Sequence, residues 1–355
     1  MTRLPSRAVL VATAVVVVGV LLTGVLFGMS TILSAVVVAI GVNGAVYALA
    51  AIGLNLHFGY TGLLNFGHAA FMMVGAYGLA VTVDKGGGFW VGVLVGVVAA
   101  AALGLLLGFP TLRLRADYLA IVTIAASEIL RLLFRSSYFD PVTRSVFGIQ
   151  GFANAFYDLN PYQPRTYSFL GLFAFRDRTL WLVTVGWAVA LVGTAVVWLL
   201  VRSPWGRVLR SIREDEDAAR SLGKNVFGYK LQSLVVGGIF GGLGGMLLAI
   251  DFQNVNPDAF LPILTFFVYV VVILGGPGTV WGPIVGSVMF WFLIEVTRGI
   301  MSGLVARGWV SGAILSSQDV AAVRFVLVGL FLLVMMAYRP QGVFGSREEM
   351  LLDAR

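Results

Sequence analysis

The sequence contains no cysteine and only two histidines among its 355 residues. The first absence excludes disulfides, thiolate metal sites and cysteine nucleophiles, and it leaves the compartment open. Two histidines without clustered carboxylates make no catalytic metal site, so no metal is expected. Charge is scarce too: 12% of residues are charged, against 59% hydrophobic. No GxxxxGK[ST] loop is present to cradle nucleotide phosphates, and neither GxSxG nor HExxH occurs. The chain is therefore expected not to be an enzyme and not to hydrolyse ATP itself.

What is abundant is apolar length. Mean hydropathy is +0.94, and many near-uncharged runs reach the roughly 20 residues a helix needs to cross a bilayer. Spans are predicted near 8–28, 32–54, 62–83, 89–109, 117–134, 180–201, 226–250, 261–276, 281–300 and 321–338. The expected fold class is all-α, a polytopic transmembrane helical bundle of about ten spans forming a single domain over 1–355. The first run follows Arg3 and Arg7. It lacks a small-residue cleavage site followed by a soluble domain, so a retained span is expected rather than a removed signal.

Lys and Arg outnumber Asp and Glu by 24 to 17, a net charge of +7. No basic-aromatic module accompanies this excess, so it speaks of topology and not of nucleic acid. Placing both termini in the cytoplasm puts Arg3, Arg7, Arg113, Arg115, the basic residues of 202–230, Arg339, Arg347 and Arg355 on one side. Lys85 and a long segment, 136–179, are left outside. That segment is rich in proline and aromatics and is expected to lie as a cap on the outer membrane surface. A second outer loop, 251–260, is turn-rich.

The island at 202–230, RSPWGRVLRSIREDEDAARSLGKNVFGYK, is too charged for hydrocarbon and must face water. Ser203 before Pro204 reads as an N-cap, Ser211-Ile212-Arg213-Glu214 fits a capping box, Gly223 suits a left-handed C-terminal cap, and Asn225 suits the cap of the next helix. A short charged helix with Ala and Gly on one side fits a partner's groove; the same pattern also describes a plain solvated loop.

Polar residues inside apolar runs carry the remaining chemistry. The stretch GLNLHFGYTGLLNFGHAAFMMVGAYG, residues 53–78, places Asn55, His57, Tyr60, Asn65, His68 and Tyr77 in one region. Such groups in hydrocarbon mark either a translocation path or interhelical hydrogen bonding. Asn65 and His68, three apart, are expected on one helix face, and His57 at the cytoplasmic interface. Glu128 with Arg131, and Glu295 with Arg298, have the spacing for pairing within a helix. Gly275-Gly276-Pro277-Gly278 must break a helix, and a break at membrane depth is tolerated only inside protein or beside a wet cavity. Gly237-Gly238, Gly241-Gly242 and Gly244-Gly245 form faces that let helix backbones approach closely.

Four ordered stretches now resemble a known family. SIREDEDAARSLGKNVFGYKLQSLVVGGIFGGLGGMLLA, the 53–78 stretch, VVILGGPGTVWGPIVGS and YRPQGVFG are similar to signatures of the branched-chain amino acid class of bacterial ABC-importer permeases, the LivM-type subunit above all. Urea and short-amide permeases of that class are near alternatives. The resemblance covers the chain from about residue 45 to its end and implies a set of partners. These are a second, homologous LivH-type permease subunit, two cytoplasmic ATPases that carry ATP and Mg, and an extracytoplasmic solute-binding protein. It implies a multi-pass protein of the bacterial plasma (inner) membrane with no cofactor of its own. Arg213, Glu214, Glu216, Asp217, Ala218, Ala219 and Gly223 would dock an ATPase. Asn55, Asn65, His68, Tyr77 and Glu128 would border the translocation pathway, and Gly275, Gly276, Pro277 and Gly278 would serve gating. A stand-alone secondary transporter remains the reading from a different class, with Glu128 as its coupling carboxylate.

Overall fold

Apolar length sets where the helices run, and glycine, proline and polar caps set where they stop. The structure of the chain is a computed structural model that describes residues 28–112, 116–169, 173–307, 326, 329, 330, 333, 337 and 341–345. All of the predicted span 8–28 but its last residue, and most of 321–338, fall outside these residues.

In chain order the main helices are α1 (Met29–Ile40), α2 (Val42–Asn55), α3 (His68–Asp84), α4 (Phe89–Thr111), α5 (Ala116–Arg135), α6 (Asp177–Arg202), α7 (Pro204–Glu214), α8 (Glu216–Ser221), α9 (Val226–Phe252), α10 (Pro262–Gly275) and α11 (Gly282–Ala306). Among the described residues, five helical stretches are long and apolar enough to cross a membrane: Val42–Tyr60, Phe89–Thr111, Asp177–Arg202, Val226–Phe252 and Gly282–Ala306. α1, α3 and α10 are apolar but shorter. The predicted span 32–54 is interrupted at Gly41, between α1 and α2.

The core lies along α2 and α9. α9 packs against α2, α3 and α4, and α2 also meets α6, α10 and α11. Glycine makes this possible: a Cβ on Gly75 of α3 would sit 2.5 Å from Gly242 Cα of α9. The backbones touch, which is how helices associate where apolar side chains gain nothing over lipid.

α3 and α10 have only 17 and 14 residues, so at 1.5 Å per residue they rise about 25 and 21 Å, less than the roughly 30 Å of a hydrocarbon core. Non-helical chain completes their length, at 62–67 before α3 and at 276–281 after α10.

The bundle has two distinct ends. At one, Ile149↔Val255 and Gln150↔Asn254 pair as short antiparallel strands, tying the expected outer cap to the loop after α9. Thr166–Phe169 and Phe173–Arg176 form a second antiparallel pair. Tyr157 Oη donates to Ile250 O at 3.2 Å, and burial, with Asp251 nearby, pushes its phenol up to about 12. The island 202–230 lies at the opposite end. Its caps follow the prediction at Ser203, which accepts from Trp205 N, at Gly223 with φ +76°, and at Asn225, which accepts from Gly228 N. Ser211 is a correction. It sits within α7 and its hydroxyl donates to Val208 O, while Asp215 caps α8 by accepting from Asp217 N and Ala218 N, each at 2.9 Å. A carboxylate free to meet two N–H groups outcompetes a hydroxyl already bonded to its own helix.

Candidate functional site

Broken helices leave backbone N–H and C=O groups without intrahelical partners, and inside a bundle no water satisfies them. The polar stretch 53–78 holds such breaks. After Asn55, α2 continues as one wide turn, Leu56–Tyr60, of π-helical form. Residues 62–65 have no regular structure, with Gly62 at φ +74° and Asn65 N donating to Leu63 O at 3.1 Å. Asn65 therefore lies outside α3 and shares no helix face with His68, contrary to the prediction. The turn at Phe66 and Gly67 separates Asn65 from the first residue of α3, His68.

Both residues nonetheless converge on His57, which is fully buried inside the protein between α2 and α9. His57 Nε2 donates to Leu234 O at 3.1 Å, and its Nδ1 accepts from Asn65 Nδ2 at 3.2 Å. Asn65 Oδ1 accepts from Gly67 N at 3.0 Å. The His68 ring lies 5.7 Å from that of His57, edge to face, and its Nε2 donates to Ala50 O at 2.9 Å. Its Nδ1 is buried with no hydrogen-bond partner among the described residues, as is the hydroxyl of Tyr77. Three residues that sequence reasoning passed over complete the network. Thr123 accepts from Phe66 N at 3.0 Å, Thr265 accepts from Ala69 N at 2.9 Å, and Ser233 meets both Thr61 Oγ1 and Leu56 O. A lone hydroxyl in an apolar helix was the available signal.

Asn55 serves a different place. Its Nδ2 donates to Thr279 O and its Oδ1 accepts from Gly278 N, each at 2.8 Å. It thereby clamps the break at 275–279, where Gly276 and Gly278 have φ of +106° and +74°. Arg213 of α7 reaches the same point, donating from Nη1 to Gly59 O at 2.5 Å. The far end of the chain closes the assembly, because Val343 N donates to Leu274 O and Phe344 N to Gly275 O, both at 3.1 Å. Portions of all four signature stretches thus meet at one node, at the island's end of the bundle.

Ion pairs lie elsewhere as well, among them Arg144 with Asp84 at 3.3 Å. Arg131 donates to Glu128 as the spacing predicted, and also to Asp258 Oδ1 at 2.6 Å in the second outer loop. Arg298 pairs with Glu295.

On the island, Glu216 pairs with Lys230 of α9 and with Arg220 at 3.0 Å. Ala219 faces inward, in a small cluster with Ile212 and Val226. Arg213, Glu214, Asp217, Ala218 and Gly223 are exposed. Leu222 stands 78% exposed at the tip, and a Cβ on Gly223 would meet nothing within 4 Å.

A family model described as branched-chain amino acid transport system / permease component matches residues 36–336. The chain is 31% identical over 308 residues to the high-affinity branched-chain amino acid transport system permease protein LivM of Escherichia coli strain K12, covering 84% of this chain and 67% of that one. Its counterpart in Salmonella typhimurium is 32% identical over 309 residues, with the same coverage. Similarity extends to the permease protein LivH of Escherichia coli strain K12, at 26% over 326 residues, 86% of this chain and 93% of that one.

Proposed function

The chain belongs to the family of branched-chain amino acid transport permease components, and from that premise we propose how this permease subunit of an ATP-binding-cassette importer works. It is a multi-pass helical membrane protein of a permease-pair system, and it is not an enzyme. The solute is a branched-chain or related amino acid, handed over by an extracytoplasmic binding protein. A LivH-type subunit is its membrane partner, and two cytoplasmic ATPases, which bind ATP and Mg, drive alternating access. About ten spans cross the bacterial inner membrane with both termini in the cytoplasm, and the whole chain acts as one transmembrane domain.

The observation that carries this reading is the island. Its tip presents Ala218, Leu222 and Gly223 to solvent, while its base is braced to α9 by Glu216 and Lys230 and to α2 by Arg213. An exposed leucine on a short helix held this firmly is suited to an ATPase groove. Glu214, Asp217 and Arg220 would rim that contact. Asn65, His68 and Tyr77 border the path, Asn55 and the 275–278 break hold its inner end, and Glu128 lies at its outer end. A stand-alone transporter would use Glu128 as its proton carrier, and the Arg131 guanidinium on that carboxylate argues for a structural pair instead.

The test is copurification of the tagged chain with and without Gly223→Arg. A side chain at Gly223 would meet nothing within 4 Å, but at φ +76° it strains the left-handed cap by about 1–2 kcal/mol, so the stability of the variant is measured beside its ATPase recovery. Two ATPases and a second permease should come with the unaltered chain, with solute-dependent ATP hydrolysis, and the ATPases should be lost from the variant. A chain that purifies alone and moves solute in liposomes without ATP would refute the proposal.

A further inference from the structure

We infer that Arg213 is a strut that carries movement of the island into the broken membrane helices, and not a contact for the ATPase. The inference rests on the permease reading above. α7 is a stiff arm: Leu209 and Ile212 are buried, and Gly206 lies directly on the backbone of Val201 at the end of α6. Arg213 stands at the far end of this arm. The residue as a whole remains exposed, yet its Nη1 donates to Gly59 O within the wide turn Leu56–Tyr60. Its stem passes Gly62, whose Cβ would lie 3.4 Å from Arg213 Cγ, and its tip lies 2.9 Å from where a Cβ on Gly278 would sit. Glycines from two separate signature stretches leave room for one guanidinium.

What that guanidinium holds is linked on both sides. Gly59 belongs to the turn that ends α2, and Gly278 belongs to the loop between α10 and α11. The Asn55 amide joins the two by bonding Gly278 N and Thr279 O. Beside Gly276, Val343 and Phe344 bond the last carbonyls of α10. A push on α7 therefore reaches α2, α10 and α11 through one hydrogen bond and one clamp. A planar, multi-donor guanidinium suits this geometry, whereas lysine supplies the same charge as a single point on a flexible stem.

The experiment uses the assembled complex with its ATPases and binding protein in liposomes, comparing the unaltered chain with Arg213→Ala, Arg213→Lys and Gly278→Ala. Three quantities are read: ATPase recovered with the permease, ATP hydrolysis, and leucine taken up per ATP hydrolysed. All three variants should retain the ATPases and hydrolysis, while uptake per ATP falls about tenfold, the scale of one charge-assisted hydrogen bond lost from the moving path. Gly278→Ala leaves the island's surface unchanged; its Cβ crowds both the guanidinium and Gly59 O, each at 2.9 Å, and strains a backbone at φ +74°, so its effect is read together with that of Arg213→Ala, which leaves the loop backbone unaltered. Loss of the ATPases in Arg213→Ala with recovery in Arg213→Lys would identify a docking charge and overturn the strut, as would unchanged uptake per ATP in Arg213→Ala. If the unaltered chain recovers no ATPase at all, the permease reading fails and the strut fails with it.

Discussion

Replacing Gly237 with alanine tests the seam on which the site is built. A Cβ there would lie 2.5 Å from Gly53 O and would also strike the His57 imidazole, and a Cβ on Gly53 would in turn strike Gly237 O. Carbon and oxygen in a good contact sit about 3.3–3.6 Å apart, so α2 and α9 must part by about 1 Å. Overpacking of this kind costs about 1–3 kcal/mol. The same movement strains the bonds from His57 to Leu234 O and Asn65, each contributing about 0.5–1.5 kcal/mol, so the expected loss is about 2–6 kcal/mol. The assay is unfolding of the purified protein in mixed micelles with rising SDS, followed by circular dichroism. Gly88→Ala is the control, because its Cβ would meet nothing within 4 Å, and its effect should stay within about 0.5 kcal/mol. Adding His57→Ala should not restore Gly237→Ala, since the Gly53 carbonyl still blocks the methyl group. If Gly237→Ala unfolds no earlier than Gly88→Ala, the backbones do not touch at this seam and the argument is wrong.

Arg131→Met leaves Glu128 without its counter-charge and Asp258 with Arg135 alone, at 3.7 Å. The Arg131 side chain is 7% exposed but its partners are 36% and 41% exposed, so water offsets part of the loss, and about 1–3 kcal/mol should disappear in the same SDS titration. Asn55→Asp keeps an acceptor for Gly278 N but loses the donor to Thr279 O, and should cost about 1–3 kcal/mol; limited proteolysis should then cut within 276–281 sooner than in the unaltered chain. Gly342→Ala imposes a left-handed side chain at φ +72° and a Cβ 2.6 Å from Gly276 Cα. It should cost at least about 1–2 kcal/mol and expose the 341–345 segment to carboxypeptidase. Asp215→Ala removes the cap of α8 at a cost of about 1 kcal/mol, and is expected to lower ATPase recovery in copurification while leaving the SDS midpoint of the bundle unchanged.

Much of the architecture was legible in the residues. Unbroken apolar runs specified α4, α6, α9 and α11 because transfer from water to hydrocarbon depends on composition, residue by residue. Ser203, Gly223 and Asn225 were readable as caps because a cap engages only its own neighbours in the chain. The break at 275–278 was legible for a related reason, since glycine and proline act on their own backbone. The capping-box reading at Ser211 failed because its hydroxyl is bonded within its own helix, to Val208 O, a fact that exists only once α7 has formed.

The destinations of the polar groups belonged to the tertiary structure. Nothing near Asn55 in the sequence points to Gly278, 223 residues away, or from Arg213 to Gly59, 154 residues away. His57 is buried against α9, and Asn65 left its expected helix to meet it. Asp258, from a loop with no evident purpose, proved to be a partner of Arg131. Hydrophobicity is a relation between one residue and its solvent, so the sequence alone carries it. A backbone group freed by a broken helix is satisfied only by whatever the fold brings within about 3 Å of it, and that pairing exists only once the chain has folded back on itself.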